Sequence, residues 1–186
     1  MAKLIYVTNV SLDGSIEDAQ GRFDWTEPTD EFFTFITDVV RPVGTYLYGR
    51  RLFETMAVWE TDPALAAQSV LTADFADLWQ SADKVVYSTT LHDVPTSNTR
   101  IERRFDADAV RAMKASAVDD LSVGGSTLAA HAFDAGLVDE CHLFVYPVVV
   151  GGGKPAFLGD LRVDLELLDE RRFGSGVVYL RYRVQG

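Results

Sequence analysis

Short apolar runs rich in Val, Ile, Leu and Tyr alternate with segments of helical period along most of this chain. That alternation restricts it to the α/β architectures. KLIYVTNV (3–10), TYLYG (45–49), KVVYS (84–88), LSV (121–123) and DECHLFVYPVVV (139–150) read as strands, and TRIERRF (99–105) as a half-exposed one that alternates Ile101, Arg103 and Phe105 with charge. Between them, TDEFFTFITDVV (29–40) reads as a helix stopped by Pro42, followed by RRLFETMAVW (50–59) and TADFADLWQSA (72–82) with Thr72 as its N-cap. Asp106 caps another helix, and a last one runs over 126–135 to Gly136. Segments 163–173 and 177–184 face each other across Gly174-Ser175-Gly176 as a hairpin. The expected fold is a three-layer α/β domain with a mixed, mostly parallel sheet of about eight strands, flanking helices and a C-terminal antiparallel hairpin. No linker, repeat or low-complexity tract divides the 186 residues, so 1–186 reads as a single domain. The irregular stretches near 11–28, 57–71 and 150–162 read as working loops.

Charge and composition exclude several classes. A formal net charge of −11 opposes nonspecific binding to nucleic acid or to anionic membranes, and no apolar run is long enough to span a bilayer. The opening MAKLIYVTNV shows no export signal and Cys141 is the lone cysteine, so a cytoplasmic address is expected, with Cys141 a small buried hydrophobe. His92, His131 and His142 lack the spacing of metal ligands, and no metal is expected.

Three of the strands end in similar punctuation: YLYG-RR (46–51), VVYS-TT (85–90) and LSVGG-ST (121–127). In open α/β sheets ligands collect beyond the carboxyl ends of parallel strands, where helix N-termini offer free N–H groups to anions. Arg50 and Arg51 would bring charge to the first end, Ser88 and Thr89 hydroxyls to the second, and backbone N–H groups of Gly125, Ser126 and Thr127 to the third. Gly124-Gly125 has two readings: bare main chain that a pyrophosphate can approach, or simply a tight strand-to-helix turn. GGGKP (151–155) is not a Walker loop, there is no GxGxxG, and GGSTL (124–128) lacks the second glycine of a nucleophile elbow. Two acids lie early. Asp13 in SLDG (11–14) is either a substrate ligand or a turn aspartate, and Asp30 is either a ligand or a first-turn acid that favours the helix dipole.

NVSLDGSIE (9–17), YGRRLFETM (48–56), KVVYSTTL (84–91) and VGGSTLAAHAFDAGLVDECHLFVYPVVVGGGKP (123–155) together resemble the dihydrofolate-reductase-like fold, and within it the RibD C-terminal domain family of riboflavin-biosynthesis reductases. The resemblance covers nearly the whole chain. It implies an NADPH-dependent reductase whose cofactor lies across the three strand ends. The pyrophosphate would sit between Gly49-Arg50 and Gly124-Gly125, beside Ser126, Thr127 and Leu128, and the 2′-phosphate among Arg50, Arg51, Ser88 and Thr89. Trp25, Pro28 and Asp30 stand as W-x-x-P-x-D, similar to the pattern that ends in the pterin-binding carboxylate of dihydrofolate reductases. That similarity makes Asp30, then Asp13, the expected substrate-binding acid.

The implied reaction is hydride transfer to a C=N carbon of a small pyrimidine or pteridine-type heterocycle, as in 5-amino-6-(5-phosphoribosylamino)uracil reduction. It needs alignment, a dry site and a proton source rather than a protein nucleophile. The alternatives are a dihydrofolate or other pterin reductase, a non-catalytic NADPH-binding paralogue, and an interaction module that binds no nucleotide. Apolar alternation in 139–150 and 163–184 offers surface for a homodimer.

Overall fold

The computed structural model describes residues 1–185. In it an eight-stranded sheet carries the order β5-β4-β3-β6-β1-β7-β10-β9, formed by β1 (Leu4–Ser11), β3 (Val43–Gly49), β4 (Asp83–Tyr87), β5 (Thr99–Glu102), β6 (Asp120–Gly124), β7 (Glu140–Tyr146), β9 (Asp164–Arg172) and β10 (Val178–Gln185). From β5 through β7 every pairing is parallel, and β10 pairs antiparallel with both β7 and β9. The expected mostly parallel sheet with its C-terminal hairpin is what forms. Two short strands, β2 (Ser15–Glu17) and β8 (Lys154–Pro155), pair outside the sheet and tie together two of the loops.

Helices α1 (Asp30–Val40), α2 (Arg50–Met56) and α5 (Val70–Ser81) cover one face, where Phe53, Phe75 and Trp79 pack on Ile5, Tyr46, Tyr48 and Val86. On the other, α6 (Ala107–Ser116) and α7 (Ser126–Asp134) bury Val110, Leu128, Ala132 and Phe133 against Leu4, Tyr6, Leu47 and Val123. Strands between two helical layers must be apolar on both sides, which is why LIY, YLY and KVVY lack alternation. Cys141 is fully buried in this core, and burial pushes its thiol up to about 12, so it serves as a small hydrophobe.

Several boundaries differ from the sequence reading for local reasons. Helix α5 starts at Val70, because Ser69 is the N-cap of a capping box in which Thr72 is the reciprocal partner; Thr72 is therefore not the cap. The segment 50–59 breaks at Ala57 into α2 and a single turn, α3 (Val58–Thr61); Asp62 then caps another turn, α4 (Pro63–Ala66). Strand β7 stops at Tyr146 ahead of Pro147, and β5 stops at Glu102, where Arg103 turns off to bind two carbonyls. Helix α7 ends as read: Gly136, at φ +63°, lets its own N–H reach Phe133 O and that of Leu137 reach Ala132 O.

Under α1, at the β7–β10 seam, lies a buried polar cluster. Glu140 accepts from Arg181 Nε (2.8 Å) and pairs with Lys3 Nζ (2.8 Å), while His142 stands between Glu140 (3.2 Å) and the Tyr179 hydroxyl (2.8 Å). Burial works to raise the Glu140 pKa, but the hydrogen bonds from Arg181 and Lys3 outweigh it and hold the carboxyl at about 2. Burial lowers the His142 pKa, so the folded state favours neutral imidazole. Both groups bind protons more readily when unfolded. Their stabilisation is therefore complete above the unfolded histidine value of ~6.5, and is lost first as pH falls below it and again below ~4.3 as unfolded Glu140 protonates. Urea melts from pH 7.5 down to 4 should show falling stability, and Glu140→Gln should cost about 3 kcal/mol at pH 7.5 by stranding Arg181. The variant's pH dependence below ~4.5 should also be shallower. An unchanged midpoint in that variant would contradict the account.

Candidate active site

The exits of β4, β3 and β6 lie side by side at one edge of the sheet. Gly49 is in register with Tyr87, and Tyr48 with Gly124, so the chain leaves all three strands at nearly the same level. The three punctuated ends that the sequence singles out are thus neighbours. Next to them the sheet splits. β6 pairs with β1 only through Tyr6–Val123 and stops at Gly124, whereas β1 continues to Ser11 with β7 alone beside it. Val7, Thr8 and Asn9 are only half-buried although their strand is central, as expected where a crevice opens between two parallel strands.

Gly124 and Gly125 do different jobs. Gly125 is the N-cap of α7 at φ +88°, a conformation that favours glycine, and a Cβ built there would meet no atom within 4 Å. At Gly124 a Cβ would collide with Leu52 Cδ2 and crowd the Tyr48 ring, so this glycine lets α2 pack against β6. The turn reading holds for Gly125, where the main chain also faces open space, while Gly124 ends the strand and serves close packing. Gly49, the N-cap of α2, is equally open.

Helix α7 begins without a side-chain cap. Its first residue, Ser126, is 1% exposed, and its hydroxyl has no hydrogen-bond partner among the described residues. A buried hydroxyl and uncapped N–H groups form a cluster of donors in need of an acceptor. Thr127 is exposed and Leu128 is buried in the core beneath the helix.

At the β4 exit, the buried Ser88 Oγ accepts from the N–H groups of Thr90 (3.3 Å) and Leu91 (3.0 Å) and so shapes the turn, leaving Thr89 exposed. Arg50 reaches this turn through Nη1 to Thr90 Oγ1 (2.9 Å) and is braced by Glu54 (2.7 Å). Arg103 joins from beneath, donating to Ser88 O (3.0 Å) and Leu91 O (2.6 Å). Sequence reading missed Arg103, because it was placed only as one position in the alternation of a half-exposed strand with Ile101 and Phe105. Arg51 does not converge with Arg50. Successive helical residues point about 100° apart, and Arg51 binds Glu17 Oε1 (3.0 Å) and Gly21 O (3.1 Å) in the loop over the other side.

The two acids also separate. Asp13 accepts from Ser11 Oγ (2.6 Å), Val150 N–H (3.2 Å) and Gly151 N–H (2.9 Å); led by the Ser11 bond, these hold its pKa at about 2. It is an ionised clasp between the β1 exit and the 147–153 loop. Asp30 is exposed in the first turn of α1 and lacks the burial that a substrate-polarising carboxylate needs. Close to it, a cavity of about 230 Å³ is lined by Trp25, Glu27, Thr29, Phe32, Tyr146 and Ser175, among others, with Trp25 and Tyr146 edge to face at 5.6 Å. The Trp25 indole N–H is buried there without a partner among the described residues. In W-x-x-P-x-D, then, the tryptophan lines this cavity and the aspartate does not.

Comparison with known proteins bears on this arrangement. The RibD C-terminal domain family matches residues 2–179. The uncharacterized protein YyaP of Bacillus subtilis (strain 168) is 31% identical over 193 residues, covering 99% of this chain and 96% of that protein. Among solved structures, a putative riboflavin biosynthesis protein from Shewanella sp. PV-4 superimposes with a TM-score of 0.74 at 19% identity, each chain covered completely. A pyrimidine reductase-like protein from Corynebacterium diphtheriae gives 0.66 at 14% identity, covering 100% of this chain and 92% of the other. A deaminase/5-amino-6-(5-phosphoribosylamino)uracil reductase from Thermotoga maritima gives 0.68 at 14%, covering 99% of this chain and 57% of the other. At these identities the structural matches speak for the fold.

Proposed function

The chain belongs to the RibD C-terminal domain family, and on that footing we propose that it is an NADPH-dependent reductase acting on a small pyrimidine or pteridine-type heterocycle. The observation that carries the reading is the donor cluster at α7, where the buried, unpartnered Ser126 hydroxyl and the uncapped helix start lie beside open main chain at Gly125 and Gly49. This chemistry fits a pyrophosphate: donors without acceptors, main chain that can be approached closely, and a positive helix end. Arg50, at the β4 exit with Ser88 and Thr89, would hold the 2′-phosphate, with Arg103 bracing the turn. Arg51, committed to Glu17 and Gly21, belongs to the loop beside the crevice. When bound, NADPH supplies the hydride.

The chain's own contribution would be to align the substrate in the crevice beside Val7, Thr8 and Asn9 and to keep water out. Asp13, held ionised by three hydrogen bonds, orders the crevice rim and is no proton donor at neutral pH. Asp30 would act at most as an exposed carboxylate near the substrate's outer edge.

Millimolar NADPH should raise the melting temperature, since a ligand specific for the folded state stabilises it. Ser126→Ala should weaken NADPH by roughly tenfold, the worth of one buried hydrogen bond. Arg50→Ala should weaken NADPH by a similar factor while sparing NADH, because the lost contact is charge-assisted and specific to the extra phosphate. Gly124→Ala should instead destabilise the apoprotein by about 1–3 kcal/mol through overpacking against Leu52. Turnover is read by NADPH oxidation against the ribosylaminopyrimidine of riboflavin synthesis, dihydrofolate and other pterins. Asp30→Asn should change the rate by less than about threefold, because the exposed group sits in high dielectric. Absence of any NADPH-induced shift would end the reading. Binding without oxidation across the panel would favour a non-catalytic nucleotide binder, and turnover confined to dihydrofolate the pterin alternative.

A further inference from the structure

Where β1 runs on past the end of β6, its Val7 joins Phe33 of α1 and Leu52 and Met56 of α2 in one apolar cluster. None of the four is fully buried, as expected of side chains that wall a hollow instead of filling a core. Leu52 lies against Gly124, so this wall adjoins the strand exits. It suits the flat face of an uncharged ring.

The charge around this wall is one-sided. Residues 23–40 and 52–83, which supply α1, most of α2 and all of α3 to α5, hold eleven Asp and Glu residues but no Lys, Arg or His. Arginines reach this layer from outside only to pair within it: Arg41 with Asp38 and Asp74, Arg50 with Glu54, Arg171 with Glu31. On the approach to α1, Asp24, Glu27 and Asp30 are exposed and have no ion-pair partner among the described residues. The loop beside the crevice balances its cations, since Arg51 and Lys154 line one open pocket with Glu17 and Asp18, and Glu17 holds Arg51 at 3.0 Å.

We infer that the substrate is a neutral or cationic heterocycle that carries neither a phosphate nor a carboxylate tail. This rests on the NADPH-reductase reading, which assigns Arg50 and the start of α7 to the cofactor. A second phosphate entering beside α1 and α2 would lose hydration without gaining a cation. It would do so next to a cofactor that is itself a polyanion, in a chain of net charge −11. A neutral ring incurs neither cost, and a protonated ring or amine gains from the carboxylates. Selection here works by repelling the wrong ligand as well as by holding the right one.

Calorimetry on the full chain saturated with NADP+ tests this with matched pairs: the ribosylaminopyrimidine with and without its 5-phosphate, and a dihydropterin with and without a glutamate tail. In at least one pair the uncharged member should bind at least tenfold tighter than its anionic twin. Raising NaCl from ~20 to ~300 mM should tighten the anionic members severalfold and leave the uncharged ones unchanged. Glu27→Lys combined with Asp30→Lys changes two exposed positions, so circular dichroism and melting should be retained while the gap narrows about threefold. Absence of an NADPH-induced melting shift would overturn the reductase reading and this inference with it. With that shift present, anionic members that bind as tightly as their twins, failure of every uncharged member to bind, or a gap indifferent to both salt and charge reversal would overturn the inference alone.

Discussion

The end of β6 at Gly124, while its neighbour β1 runs on to Ser11, is the constraint on which the rest of the molecule turns. A parallel sheet has no hairpins, so each strand must exit at one edge and return over a face. When one strand stops short of the next, the longer one loses its ladder partner, and a slot opens at that edge. Gly124 makes the early stop compatible with close packing, since Leu52 and Tyr48 occupy the place of a side chain. Gly125 then turns the chain at positive φ into α7. The uncapped start of that helix sits where it does because the strand ends there.

The layers, the mostly parallel sheet with its C-terminal hairpin and the adjacency of the three exits follow from patterns that the residues display, whereas the strand order does not. LIY, YLY and KVVY are apolar on both sides because helices cover both, and Gly136 marks the end of α7 through the conformation it permits. Side-chain direction was less legible. Arg50 and Arg51 read alike in sequence, yet a single helical step of about 100° sends them to different loops. The role of Arg103 was not legible because it depends on carbonyls 12 and 15 residues away in the chain. Asp13 and Asp30 could each be structural or functional on sequence grounds; hydrogen bonds decide for the clasp at Asp13, and exposure weakens the case for Asp30. The polar pair Thr8-Asn9 in a central strand was a signal that could have marked the crevice.

Polar groups in this protein fall into two populations. Glu140, His142, Tyr179, Arg181 and Lys3 satisfy one another and fix the seam beneath α1. Lys84, almost fully buried, donates to Trp79 O (3.1 Å) and Gln80 O (3.2 Å) and closes the end of α5. The Ser126 hydroxyl and the Trp25 indole are the opposite case, buried donors with no acceptor among the described residues. Because an unpaired buried donor costs free energy, such groups are expected where something outside the chain completes them.

The clasp at Asp13 constrains how the crevice rim moves. Its carboxylate holds Val150 and Gly151, Leu12 N–H donates to Val148 O (2.7 Å), and Ala156 N–H donates to Gly14 O (2.9 Å). Bound at so many points, the 11–15 and 147–156 segments behave as one rigid flap, with Leu12 and Val149 as its exposed greasy tips. Displacing either segment therefore breaks the bonds that hold the other, so the rim moves as a pair or not at all.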